Sequence, residues 1–201
     1  LDLVIEKDGL VIGSVMYTKN RLIDENGAEK QILTFGPICI APEYQRMGYG
    51  KELMEVSFQK AVQMGYEAVV IFGSPANYVS SGFKSCKKYN VCLEGDIWPA
   101  AMLVKELKPG ALDGKKWFYY QSSAYDLDME EAQRYDDSLE KMEKGFQPSQ
   151  EEFYILSHSF GCLFVLLCFC CAESFYVPYG FLCPICLFFV NCLCFWVLSH
   201  R

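Results

Sequence analysis

Ile38-Cys39-Ile40-Ala41-Pro42-Glu43-Tyr44-Gln45-Arg46-Met47-Gly48-Tyr49-Gly50-Lys51 decides how the rest of this 201-residue chain is read. An apolar, β-favouring run ends on a proline that stops a strand, and a glycine-punctuated turn then opens onto residues of helical period. In the helix this predicts, Gly48 to Met64, one face carries Met54, Phe58, Ala61 and Val62, while Glu52, Glu55, Gln59 and Lys60 mostly face water. Gly65 ends it. A helix that starts directly after a strand aims several free backbone N–H groups at one spot, and such a spot binds anions. Gly48 and Gly50 carry no Cβ to block a pyrophosphate, and Arg46 and Lys51 add positive charge at the same mouth. From glycine spacing alone, a plain helix start with a glycine turn is the favoured explanation. Two other phosphate loops are excluded, because a P-loop needs glycine at Gln45 and Ser or Thr at Glu52, and the Rossmann fingerprint needs its third glycine at Leu53.

Upstream, Leu1 to Glu6 and Leu10 to Tyr17 are β-rich runs around the polar turn Lys7-Asp8-Gly9, which predicts an antiparallel hairpin. Asn20 to Lys30 is polar with Asn26-Gly27 as a turn signal, and Gln31 to Ala41 reads as a third strand stopped by Pro42. Downstream, Ala68 to Phe72 is an apolar run of strand length, bounded by Gly73-Ser74-Pro75, which fits a strand covered on both faces. Asn77 to Ser81 fits a short helix, and Tyr89 to Leu93 and Ala100 to Leu107 fit two further strands around Gly95-Asp96. The expected fold is mixed α/β. Lys108-Pro109-Gly110 then opens an acidic stretch to about Ser159 with an amphipathic helix expected over Met129 to Lys144.

The quoted strand, loop and helix start resemble the acetyl-CoA motif of the GCN5-related N-acetyltransferases (GNAT). Asn77-Tyr78-Val79-Ser80-Ser81-Gly82-Phe83 resembles that family's tyrosine-x-x-x-glycine-phenylalanine segment, with Ser81 where a bulky apolar residue is frequent. The resemblance covers about Leu1 to Pro109 and implies a mostly antiparallel central sheet with flanking helices, lacking the family's first strand and the one or two helices that build much of the acceptor pocket. It implies acetyl-CoA as co-substrate, with the backbone of Ile38, Cys39 and Ile40 pairing with pantetheine and Gln45, Arg46, Met47, Gly48, Tyr49, Gly50 and Lys51 meeting the pyrophosphate. Tyr78 takes the place of the family's general acid, which protonates the departing thiolate. The implied reaction is direct attack by a primary amine of a small molecule or peptide, without a covalent enzyme intermediate. Glu94 and Asp96 lie in a loop on the substrate side but are ordinary solvated carboxylates by type, so neither is assigned as a base. Pro109 to Leu112 and Ser149 to Phe153 look like a subgroup of small bacterial members with a C-terminal extension.

The net charge of −7 and the lack of clustered Lys and Arg exclude a nucleic-acid surface. Of eleven cysteines, Cys39, Cys86 and Cys92 precede residue 159 and read as thiols of a reducing, cytoplasmic compartment, there being no signal peptide at the start. The other eight fall between Cys162 and Cys194. Tyr176 to Leu198 is uncharged and long enough to span a bilayer, though Pro178, Gly180, Pro184 and Asn191 interrupt it, and its Phe- and Cys-rich composition also fits translated non-coding sequence. Cys183-Pro184-Ile185-Cys186 has redox spacing but lacks the polar loop residues of a metal site, and no metal is expected. The reading is therefore an acetyltransferase domain over 1–109, an acidic extension over 110–159 and a hydrophobic tail over 160–201, with membrane association through 176–198 left open. Two rival classes remain: a degenerate acyl-CoA-binding module, and a membrane-anchored interaction protein.

Overall fold

A computed structural model of the chain describes residues 1–126, 128–139, 145–146 and 148–158. The expected tail, with its candidate span and Cys-x-x-Cys pair, lies outside the described residues. Among those described, no helix is long and apolar enough to cross a membrane, and no group of three or more His, Cys, Asp or Glu side chains is placed to hold a metal.

The hairpin forms as expected. β1 (Asp2–Lys7) and β2 (Leu10–Asp24) are joined by Asp8-Gly9, both left-handed at φ 53° and 79°, the two-residue turn whose twist matches that of its strands. β2 runs further than the sequence suggested, because Asn20 to Asp24, read as polar linker, is strand. Its two edges explain this: β3 (Glu29–Ile40) pairs along one, and β8 (Trp117–Tyr120) pairs with Arg21 to Asp24 along the other, burying Leu22 completely. The polar residues there are used. Asp24 Oδ1 accepts the N–H groups of Asn26 and Ala28 at 2.9 and 2.8 Å and so closes the turn into β3.

The chain continues through α1 (Tyr49–Gln63), β4 (Ala68–Phe72), α2 (Pro75–Tyr78) and a 3₁₀ turn at Val79–Ser81. β5 (Lys84–Ser85), β6 (Val91–Cys92) and β7 (Met102–Glu106) follow, then β8, α3 (Met129–Ser138) and α4 (Pro148–His158). The sheet has the order β5-β7-β4-β3-β2-β8-β6, with β1 lying beside β2 end to end with β8. Only β3–β4 and β6–β8 run parallel, so the fold is the expected mixed α/β with a mostly antiparallel sheet.

The structure differs from the sequence reading in four further places. The expected strand Tyr89 to Leu93 shrinks to Val91–Cys92, since Cys86–Tyr89 forms a 3₁₀ turn closed by a left-handed Asn90. On α1, Val62 is 49% exposed, and Leu53 and Ser57 join Met54, Phe58 and Ala61 inside instead. α3 ends at Ser138, where Leu139 becomes extended, and 140–144 lie outside the described residues. The sheet also passes Pro109: β8 closes it with alternately buried Trp117 and Tyr119.

The sheet is covered on both faces. Under α1 lie Val15, Leu33, Val69, Ile71 and Leu103, and the opposite face gathers Leu22, Ile32, Ala68, Val70, Trp117 and Tyr119. Trp117 is 3% exposed and its Nε1–H donates to the Leu112 carbonyl at 3.1 Å. Trp117→Ala is expected to destabilise the protein by about 3–5 kcal/mol in a urea titration, the usual effect of emptying a large core site; a loss below 1 kcal/mol would mean that β8 is a dispensable appendage.

Candidate functional site

β3 and β4 meet as paired strands at one position, Leu33 opposite Val69. The parting has a local origin. Against β2, one residue separates Val15 from Tyr17 while two, Gly36 and Pro37, separate their partners Phe35 and Ile38. This extra residue is a bulge, which bends its strand, and Pro37 brings no N–H to the ladder. Ile38, Cys39 and Ile40 therefore keep β2 on one edge and, among the described residues, pair with no strand on the other. The side chains of Ile38 and Ile40 pack into the α1 cluster, whereas Cys39 Sγ lies 3.3 Å from Ser14 Oγ. Gly13 permits the close fit here, because a Cβ on it would stand 2.4 Å from Ile40 Cδ1 and 2.6 Å from the Cys39 carbonyl oxygen.

The loop after β3 is held from within. The Gln45 side-chain amide donates to the Ile40 carbonyl at 2.9 Å, and the Gln45 backbone N–H donates to Pro42 O at 3.2 Å. Arg46 and Gly48 are left-handed, at φ 61° and 96°, and Gly48 caps α1 without any side-chain cap. The first N–H of the helix ladder to find a partner is that of Glu52, which donates to Gly48 O at 3.0 Å. The N–H groups just before it are thus left to the mouth of the loop, at the positive end of the helix dipole. Arg46 and Met47 are exposed there, and Lys51 lies along the helix 3.8 Å from Glu55. From β1, the Lys7 ammonium sits 5.4 Å from the ring centres of both Tyr44 and Tyr49, and the Tyr49 hydroxyl raises its pKa. Nothing among the described residues demands glycine at position 50: a Cβ there would make an ordinary 3.5 Å contact with Ile40.

An aromatic wedge fills the space under the parted strands. Tyr17, Phe35, Tyr78, Phe83 and Phe58 follow one another with ring centres 5.4 to 6.0 Å apart and steep interplanar angles, the geometry aromatic quadrupoles favour. Ser57 donates to Met54 O at 2.7 Å, so the 2.6 Å contact between Ser57 and Tyr17 uses the Tyr17 hydroxyl as donor. Burial pushes the Tyr17 phenol up to about 12. Tyr78 is half-buried, its ring lies over Gly73, and its hydroxyl makes no hydrogen bond among the described residues. Burial raises its pKa too, which keeps the phenol protonated at neutral pH.

Two residues that support Tyr78 were not singled out from the sequence. A Cβ on Gly73 would stand 2.6 Å from Tyr78 Cε2, so the glycine that closes β4 is also the seat of the ring. Lys105, on β7, donates to the Ser81 carbonyl at 2.9 Å and lies 5.1 Å from the Phe58 ring centre, pinning the turn after Tyr78. Desolvation lowers its pKa. The only sequence signals were Gly73-Ser74-Pro75, read simply as a strand stop, and a lone lysine in an apolar strand. Asp96 belongs elsewhere: it is ion-paired with Lys116 beside β6, across the sheet from the parted strands, and Glu94 shares its turn.

Residues 2–83 match the model of the acetyltransferase (GNAT) family. That match takes in the bulged strand, the loop, α1 and the whole Tyr78 segment. The matched segment is thus similar to the GNAT family. The chain is 28% identical over 109 residues to the uncharacterized N-acetyltransferase YhbS of Escherichia coli strain K12, covering 54% of this chain and 64% of YhbS. It is 27% identical over 86 residues to the uncharacterized N-acetyltransferase YjhQ of the same strain, covering 43% and 47% of the two chains. Among solved structures, E. coli YhbS in complex with CoA superposes with a TM-score of 0.54 at 25% identity, over 63% of this chain and 69% of that one. The chain thus spans somewhat under two thirds of the curated relative YhbS. Within this matched segment, Gly73→Ala is expected to cost about 1–3 kcal/mol through overpacking against Tyr78, and the double variant Gly73→Ala/Tyr78→Ala should recover part of it, as read by thermal or urea melts.

Proposed function

We propose that this domain binds acetyl-CoA and transfers its acetyl group to a primary amine of a small molecule or peptide. The observation that carries the reading is the convergence, along one cleft, of a β3 edge that parts from β4 after Leu33, a helix start at Gly48 to Lys51 with no side-chain cap, and a Tyr78 hydroxyl that makes no hydrogen bond among the described residues. The CoA bound in the YhbS crystal structure supports the choice of ligand. Pantetheine would add to the free edge of β3 as a strand does, and the pyrophosphate would lie on the N–H groups at the start of α1 with Arg46 nearby. Gln45 acts as a positioning residue, since its amide and its N–H are both engaged inside the loop. A pyrophosphate pressed against the backbone also supplies the reason for glycine at position 50, which packing does not.

In the reaction the amine lone pair attacks the thioester carbonyl, the N–C bond forms and the C–S bond breaks. The amine releases a proton to water. The departing thiolate takes one from the Tyr78 phenol, whose raised pKa keeps that proton in place until the thiolate appears, and water then reprotonates Tyr78.

Calorimetric titration with acetyl-CoA tests the binding half. Gly50→Ala should leave the fold intact or stabilise it by about 0.5 kcal/mol yet weaken acetyl-CoA by about tenfold or more, and Gly48→Glu should abolish binding by adding bulk and negative charge. Unchanged affinity in both would remove the loop as the pyrophosphate seat. For the chemical half, Tyr78→Phe should bind acetyl-CoA normally and lower kcat by about 10²-fold or more, followed by release of free CoA thiol; full activity would strip Tyr78 of its role.

A further inference from the structure

The proposed coenzyme site uses one face of the sheet, because α1 packs on the side that carries Leu33, Val69 and Ile71. Side chains alternate along β4. Ile71 and the seat of Tyr78 at Gly73 face α1, whereas Phe72 packs on the opposite side against Tyr119, with ring centres 5.5 Å apart. Ser74, still extended at φ −68° and ψ 126°, continues that alternation toward the second face. There α4 covers the end of β4: Phe153 packs with Phe72, Leu93 and Ile97, and the Ser74 hydroxyl donates to Glu152 Oε1 at 3.0 Å. Ser74 is 9% exposed, while Glu152 is exposed and pairs with no Lys or Arg among the described residues. Ser74 directly follows Gly73, the seat of Tyr78, so this carboxylate stands at the same end of β4 on the face opposite α1.

We infer that Glu152, presented by α4 and oriented by Ser74, binds a cationic group of the acceptor and selects amines that carry a second positive charge beyond the reacting nitrogen. The inference rests on the coenzyme site proposed above. The charge cannot sit on the attacking nitrogen, which needs its lone pair, so the acceptor class is a diamine or polyamine whose far ammonium docks at Glu152.

The test compares 1,4-diaminobutane with 4-amino-1-butanol, equal in length but differing in the distant charge, by calorimetric binding to the full chain loaded with CoA. Wild type should prefer the diamine by about tenfold or more. Glu152→Gln, which keeps an acceptor for Ser74, should erase the preference; Ser74→Ala should reduce it, and Glu151→Gln should leave it intact. No preference in wild type, a preference that survives Glu152→Gln, or an equal loss in Glu151→Gln overturns the inference. A separate CoA titration keeps the two readings apart. If CoA itself does not bind, the coenzyme proposal fails, and the same diamine comparison on the unloaded protein still decides the role of Glu152.

Discussion

The rest of the structure depends on β3 leaving β4 after a single shared pair. A sheet that opens in its middle exposes backbone groups and loses side-chain contacts at once, and both losses need an answer. The contacts are restored by an aromatic wedge in which Phe35 touches Tyr17, Tyr78 and Phe83, tying β2, α2 and the turn before β5 to the bent strand. Each such ring pair is worth about 0.5–1.5 kcal/mol beyond the area it buries. Past that pair, no described strand lies on the β4 side of Ile38 to Ile40.

Polar groups inside the domain mostly hold backbone in place. Ser57 relays the Tyr17 hydroxyl to Met54 O, Gln45 returns to Ile40, Lys105 caps Ser81, and Asp24 closes the β2–β3 turn while pairing with Lys115. Asn20 is the exception. Its Oδ1 accepts the Ser122 N–H at 2.6 Å and so ties the chain after β8 back to β2, but its buried Nδ2 has no partner among the described residues. An unmet donor of this kind costs about 1–3 kcal/mol, and it sits in the gap between the start of β1 at Asp2 and the end of β8 at Tyr120 along the same edge of β2.

Much of this was legible in the sequence where local chemistry is strong. Asp8-Gly9 wrote its own turn, the apolar run Ala68 to Phe72 its own buried strand, and Gly48 and Gly65 the two ends of α1. The loop and the Tyr78 segment were legible through family resemblance more than through glycine spacing. What escaped depends on partners distant in sequence. Asn20 to Asp24 looks polar until β8, about a hundred residues later, supplies its second edge. Trp117 and Tyr119 looked like part of an acidic extension because four alternating residues carry little signal. Gly36-Pro37 was read simply as part of the run Gln31 to Ala41, and its bulge shows only against the register of β2. Gly73 shows only a turn in sequence, since the ring that needs its missing Cβ arrives from the next helix.

That last contact joins two positions five apart in the chain into a single unit of inheritance. With the ring of Tyr78 resting on the α-carbon of residue 73, any side chain at 73 and an aromatic ring at 78 compete for one volume. Related chains that share this backbone should therefore vary the two positions together, glycine travelling with the aromatic residue, and a lineage that loses the phenol is released from the glycine as well.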